Sequence, residues 1–454
     1  MGLLSWMLPS GRVAFHHAPK SVLLPRKNPG PDDSKYISLS ELCQSATPST
    51  CQLNPLLFNG HLQTAWTVVK NDDVPVYYKR WRFEANNPNY SGTFEVDFVV
   101  DQYDAAALSQ VEENRDLPSR TTFFTEKEFA ALPSEDTKPM LVLLHGLSGG
   151  SHELYLRHVV APLLETGWEA CVLNFRGCAQ SKVTSSILYN ARATWDVRQL
   201  MRWLREKFPN RPLFGIGFSL GANILTNYLG EEAEKCQLKA AVICSNPWNL
   251  EIGSLALQRT WLGLEVYSKV MGANMKRLFE RHVDAVEKHP RVNVERVRNI
   301  KYLHEFDREL QAPVWGYPTE TAYYRDASSI DSLFAIKIPF FAIQAEDDPI
   351  SVKEALPYLE IQQTPYGVMC TTTWGGHLSW FEAGGSRWFT KPVTGFLNKL
   401  ATEIDLESPL KVEDTTPAAQ RIPANPAGEL YGPTPNFRPM RRKCKMPLVN
   451  EDDE

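Results

Sequence analysis

Gly217-Phe218-Ser219-Leu220-Gly221 stands between a short apolar run, Leu213-Phe214-Gly215-Ile216, and an apolar-periodic stretch from Ala222 to Leu229. Strand, tight turn with small flanking residues, then helix is the context that a G-x-S-x-G nucleophile elbow requires. The turn strains the backbone of its central residue, and a side chain at Gly217 or Gly221 would collide with the neighbouring helix or strand. Ser219 is therefore expected at a helix N-terminus, where the dipole and free N–H groups favour developing negative charge. Pentapeptides of this kind also arise by chance, so the weight of this one depends on the motifs around it.

Upstream, Met140-Leu141-Val142-Leu143-Leu144 is a continuous apolar run of strand length, ending in His145-Gly146-Leu147-Ser148-Gly149-Gly150. A loop after the third strand of an α/β-hydrolase sheet points a backbone N–H at the substrate oxyanion. Leu147 is the expected donor, with the N–H of Leu220 as its partner. The plainer reading is a glycine-rich turn. A phosphate loop would want G-x-x-x-x-G-K-[ST] or G-x-G-x-x-G, and neither is present.

Downstream, Ile338 to Gln344 reads as another buried strand, followed by Ala345-Glu346-Asp347-Asp348-Pro349. A carboxylate just past a strand end can orient a histidine. Pro349 fixes the turn after Asp348, and strand–x–x–Asp spacing selects Asp348 over Asp347, against two turn-forming acids in solvent. A last strand, Tyr366 to Thr373, leads into Trp374-Gly375-Gly376-His377. Ser219, Asp348, His377 is the chain order of α/β hydrolases and not of the other serine-hydrolase folds. Four motifs in order, each at a strand end, make coincidence a poor explanation. Ser219 would attack an acyl carbonyl, His377 would act as general base, and Asp348 would orient the imidazole. Water as acceptor gives an esterase or lipase and an alcohol gives an acyltransferase; the triad alone does not choose.

With 454 residues and 43% hydrophobic content the chain can bury a large core. Lys plus Arg is 48 against Asp plus Glu 53, a net charge of −5, which gives no case for nucleic-acid binding. The eight cysteines form no C-x-x-C pair, so neither a metal site nor a disulfide framework is expected, and the compartment reads as reducing. No cofactor is implied. No apolar run reaches the roughly 20 residues of a bilayer span. The start, Met1 to Pro9, is apolar but lacks a basic n-region, and Trp6 breaks the myristoylation pattern. An intracellular, cytoplasmic protein is expected, with peripheral contact with a lipid-droplet or organelle surface as a further option.

Along the chain, residues 1–65 read as a loop-rich extension and 66–402 as the catalytic domain. Val76 to Phe83 and Thr93 to Val100 read as the antiparallel edge of the sheet, and Ala105 to Lys138 as a charged surface excursion. From Met140 onward strands and helices alternate, which means a mostly parallel sheet with helices on both faces. A helical, aromatic stretch at about 247–333 is expected as a cap inserted after the sixth strand, its apolar groups serving either an acyl pocket or ordinary packing. Residues 403–454 are too polar to order themselves. The cluster Arg438 to Lys445 reads as a solvated tail, with anionic lipid as the alternative contact.

Asn54-Pro55-Leu56-Leu57-Phe58-Asn59-Gly60-His61-Leu62-Gln63-Thr64-Ala65-Trp66, His145 to Glu153, Asn174-Phe175-Arg176-Gly177-Cys178-Ala179, Cys244-Ser245-Asn246-Pro247-Trp248 and Tyr323 to Ser329 together carry a likeness. Over about residues 50–400 the chain resembles the α/β-hydrolase family (type 4) that includes the fungal medium-chain fatty acid ethyl ester synthase/esterases. The resemblance implies catalytic roles for Ser219, Asp348 and His377. It also implies substrates, an acyl ester or acyl-CoA together with a small alcohol, and an activity of ester hydrolysis or ethyl ester synthesis. Monoacylglycerol lipase is the alternative enzyme reading, and a non-catalytic binding protein the alternative of another class. Oligomeric state is not legible.

Overall fold

The computed structural model describes residues 11–30, 34–70, 73–104 and 114–412. The chain passes through β1 (Val13–His17), β2 (Leu23–Pro25), β3 (Tyr36–Ser38), β4 (Tyr77–Glu84), β5 (Thr93–Val100), β6 (Thr121–Phe123), β7 (Met140–Leu144), β8 (Glu169–Asn174), β9 (Leu213–Phe218), β10 (Ala240–Cys244), β11 (Phe340–Ala345) and β12 (Gly367–Thr372). Strands β2 and β3 pair with each other; the other ten form one sheet in the order β1-β12-β11-β10-β9-β7-β8-β5-β4-β6. From β8 to β12 every pairing is parallel.

The uninterrupted apolar runs follow from burial on both faces. In β7, Met140, Val142 and Leu144 join one core cluster while Leu141 and Leu143 join the other. Helices Trp195–Lys207 and Leu220–Glu232 supply the first cluster, and Leu154–Leu164 and Thr390–Glu403 the second. Each fully buried Leu or Val contributes roughly 1.5–3 kcal/mol over exposure, so the strand interiors serve stability and the strand ends are left for chemistry. The sheet reverses its order of addition at β7, whose neighbours are β8 on one side and β9 on the other. Crevices outside the carboxyl ends at such a switch point are where ligands bind in open α/β sheets.

Charges inside the antiparallel strands are paired. Arg80 of β4 reaches Asp97 at 2.6 Å and Glu95 at 2.9 Å on β5, all three fully or almost fully buried. A lone buried charge would be strongly destabilising, so the set stands or falls together.

Several expectations need correction. Strands β4 and β5 are antiparallel to each other, but β4 is not an edge, because β6 pairs in parallel outside it. The stretch expected as a surface excursion thus contributes a strand, and its part 105–113 lies outside the described residues. The N-terminal extension is not merely loop: β1 pairs antiparallel with β12 to form the opposite edge, and the boundary expected at 65/66 falls inside the helix Gly60–Val69. Past residue 402, Ile404 is buried and bridges to Arg26, and Lys411 bridges to Leu23, because apolar Ile404 joins the second core cluster. Residues 413–454, with the basic cluster, and the apolar start at 1–10 lie outside the described residues.

Between β10 and β11 the chain is helical, from Leu250–Arg259 to Glu320–Ala327. Among the described residues no helix is long and apolar enough to cross a membrane.

Candidate active site

Strand β9 ends in a turn whose central residue, Ser219, has φ 52° and ψ −118°. A non-glycine residue held there costs on the order of 1–3 kcal/mol and persists only where its surroundings over-determine it. Here the Ser219 N–H donates to Cys244 O at 2.9 Å, and its carbonyl accepts from Ala222 and Asn223. A Cβ at Gly217 would stand 2.5 Å from Gly221 O, and one at Gly221 2.3 Å from Leu144 O. Only glycines let the helix Leu220–Glu232 start this close to β9 and β7. Parallel register sets Leu144 opposite Gly217, so the loop after β7 lies against the elbow.

His377 Nε2 lies 2.9 Å from Ser219 Oγ, and His377 Nδ1 lies 2.8 Å from Asp348 Oδ2. A carboxylate only accepts, so Nδ1 carries the proton and the neutral ring presents Nε2 as acceptor to the serine hydroxyl. The other Asp348 oxygen accepts the N–H groups of Ile350 (2.8 Å) and Ser351 (2.9 Å), which fixes the carboxylate plane. Asp347 is turned elsewhere: its Oδ1 accepts the Gly376 N–H at 3.0 Å. Burial pushes the Asp347 carboxyl above its ordinary range, and the Gly376 hydrogen bond opposes this.

Leu147 and Leu220 share a cavity wall with Ser219. Neither backbone N–H has an acceptor among the described residues; Leu220, as the first residue of its helix, has none within that helix. The loop carrying Leu147 is braced throughout. Gly146 N–H donates to Tyr155 Oη (2.9 Å) and Ser148 N–H to Tyr189 Oη (3.1 Å). Ser151 Oγ donates to Asp97 Oδ2 (2.5 Å), which ties the loop to the buried charge set. His145 accepts the Phe175 N–H on Nε2, so its Nδ1 donates to Gly146 O. Burial pushes the His145 pKa down to about 3, which keeps the ring neutral.

The histidine loop rests on a helix that sequence reading assigned to an extension. His377 N–H donates to Thr64 Oγ1 at 2.9 Å. A Cβ at Gly376, where φ is +62°, would stand 2.6 Å from Gly60 O. Buried Gln63 accepts the Phe381 N–H at 2.7 Å. The local signal was Asn59, which caps the helix by accepting the Leu62 N–H. The same helix meets the cap, where His61 Nδ1 lies 2.8 Å from Tyr267 Oη. Burial, with the charge of nearby Asp348, pushes the Tyr267 hydroxyl up to about 12.

The cavity above Ser219 encloses about 860 Å³, its open mouth included. Cap residues Leu257, Met271, Met275 and Leu303 form an apolar wall. Other apolar cap groups do different work: Leu278 and Phe279 are core, while Leu255, Trp261 and Leu262 are exposed. Among the described residues no cluster of metal-ligating side chains gathers, and the seven described cysteines are free thiols.

A family model described as the alpha/beta hydrolase fold matches residues 139–367. A monoacylglycerol lipase of Saccharomyces cerevisiae is 34% identical over 89% of this chain and 94% of its own length. The medium-chain fatty acid ethyl ester synthase/esterase 2 of the same yeast is 29% identical over 81% of this chain and 91% of its own. The phospholipase ABHD3 of Mus musculus is 31% identical over 57% of this chain and 62% of its own.

Proposed function

This chain belongs to the alpha/beta hydrolase fold family, and from that premise we propose that it is a serine hydrolase of fatty-acyl esters, acting through an acyl-Ser219 intermediate. The reading is carried by one observation, the unbroken hydrogen-bonded line Asp348–His377–Ser219 at the floor of a cavity with an apolar wall. Ser219 Oγ attacks the ester carbonyl as its proton passes to His377 Nε2. The negative charge that develops on the carbonyl oxygen is taken by the N–H groups of Leu147 and Leu220, an arrangement worth roughly 3–4 kcal/mol per donor. Collapse of the tetrahedral intermediate breaks the bond to the alcohol oxygen, which leaves with the proton from Nε2. Water then attacks the acyl-serine carbonyl and gives a proton to Nε2; collapse breaks the bond to Ser219 Oγ, which takes that proton back as the acid departs. Asp348 stabilises the imidazolium in both halves without taking its proton.

Medium-chain acyl groups and transfer to a small alcohol are the finer form of this proposal, supported by likeness to the ethyl ester synthase/esterase. A monoacylglycerol lipase is the second reading, favoured by the relative of higher identity and wider coverage. One experiment separates them. The purified protein is given medium-chain ethyl esters, monoacylglycerols and acyl-CoA, with ethanol raised stepwise against about 55 M water. An apolar site that binds alcohol in preference to water should yield more ethyl ester than the ethanol-to-water ratio predicts. A product ratio that only tracks bulk concentration, with the highest kcat/KM on monoacylglycerol, moves the lipase reading to first place.

A further inference from the structure

The cap opposes the apolar wall with one acid. Asp307 lines the cavity above Ser219, is 8% exposed, and sits in a π-helical turn, Asp307–Gln311, within a longer helical segment. A single extra residue of this kind re-aims side chains and is common at functional sites. The other π-helical turn of the cap, Gly263–Ser268, also contributes to the cavity, through Ser268. Asp307 Oδ2 accepts the hydroxyl of Tyr324 at 2.6 Å, and Ser254 hydrogen-bonds that tyrosine in turn. Asp307 Oδ1 has no donor among the described residues.

Of the other polar groups of the cavity, His304 Nδ1 is buried without a hydrogen-bond partner among the described residues, whereas Gln311 and Tyr189 are committed. Gln311 donates to Tyr189 O and accepts from Trp315 Nε1. Tyr189 Oη accepts the Ser148 N–H of the loop after β7. Tyr324 itself packs in one small cluster with Tyr323 and Ala191, against which Leu220 lies. Asp307, through Tyr324, and Leu220 thus meet the same cluster, and both line the cavity. A purely hydrocarbon substrate would displace solvent from Asp307 Oδ1 and offer it no donor, and leaving it unpaired is costly.

We propose that Asp307, positioned by Tyr324, is a hydroxyl-accepting subsite that selects esters bearing a free hydroxyl near the reacting carbonyl. The inference rests on the acyl-ester reading above and narrows it. An O–H group of the substrate donates to Oδ1, while the hydrocarbon lies along Leu257, Met271 and Met275. Burial pushes the Asp307 carboxyl up to about 7, and its ionised form accepts from a neutral hydroxyl but repels an anionic head group. The hydroxyl can belong to the alcohol part, as in a glycerol monoester, or to a hydroxylated acyl chain.

The test compares kcat/KM of the full-length protein on 1-monodecanoylglycerol, ethyl decanoate and ethyl 3-hydroxydecanoate, for wild type, Asp307→Asn and Tyr324→Phe. The expected result is a fall of about tenfold, mainly through KM, in the ratio of a hydroxylated ester to ethyl decanoate. A fall with the glycerol ester alone assigns the hydroxyl to the alcohol part; a fall with the hydroxy-acyl ester alone assigns it to the chain. Ratios unmoved in both variants, whether or not all rates drop together, overturn the subsite and leave the triad standing. Binding of 1-O-decylglycerol to Ser219→Ala, weakened about tenfold by adding Asp307→Asn, tests the same contact without catalysis. No turnover of any ester by wild type, with that binding difference intact, contradicts the hydrolase reading alone.

Discussion

Thr64 Oγ1 accepts the backbone N–H of His377 at 2.9 Å, across 313 residues of chain. The helix Gly60–Val69 thereby sets the height of the histidine loop above β12, and Gly376 is pressed against it with no room for a Cβ. A ring that meets both Ser219 and Asp348 within hydrogen-bond reach cannot tolerate much drift of its backbone.

Thr64→Val keeps the shape and removes the acceptor. We expect kcat to fall about tenfold on any accepted ester, with a stability loss of about 1–2 kcal/mol from the unpaired N–H. Steady-state kinetics and thermal unfolding measure both; unchanged kcat would show that the loop holds its position without this contact.

Asp348→Asn should be far more damaging than Asp347→Asn. Only Asp348 fixes the imidazole tautomer, a function whose loss costs on the order of 10⁴ in rate in a serine-protease triad, whereas the Asp347 carboxyl meets backbone N–H groups, that of Gly376 first among them. Comparing kcat of the two variants on one ethyl ester decides it, and reversed severity would remove Asp348 from the account.

The central sheet and its strand-end loops were legible because strands buried on both faces read as unbroken apolar runs, and because each motif sits one turn past such a run. The sheet edges were not. β1 is Val13-Ala14-Phe15-His16-His17 and β6 is Thr121–Phe123; segments this short become strands only by pairing with a preformed edge. The supporting helix was missed for a related reason: Thr64 and Gln63 act across more than 300 residues, and nothing local marks such a contact. Asp307 lies among Glu305, Arg308 and Glu309, with nothing in the sequence to single it out, and the π-helical turn is what buries it.

The glycines of the elbow make a stability prediction. Gly221→Ala places a Cβ 2.3 Å from Leu144 O, backbone that cannot step aside, whereas Gly384 has nothing within 4 Å. We expect Gly221→Ala to lose roughly 1–3 kcal/mol and Gly384→Ala almost nothing. Denaturant unfolding of the pair gives the comparison, and equal stability would mean that the helix Leu220–Glu232 is not packed as tightly as described.

Asp307 gives a pH dependence with a definite sign. Burial raises its folded pKa to about 7, while in the unfolded chain it ionises near 4. Between those values the native state holds a proton that the unfolded state has lost, so the group's contribution to stability falls as pH rises through that window. Asp307→Asn removes this dependence. The variant's melting temperature should therefore gain on wild type between pH 4.5 and pH 8; a gap that stays constant or narrows in the other direction would place the ionised acid in a better solvated setting.

The acyl-serine itself is the central claim. Wild-type protein incubated with a fluorophosphonate, then digested and analysed by mass spectrometry, should carry one adduct, on the peptide containing Ser219. Ser219→Ala, folded to the same melting temperature within a few degrees, should take up no label and hydrolyse no ester above background. A label on another residue, or ester turnover by folded Ser219→Ala, would contradict the account.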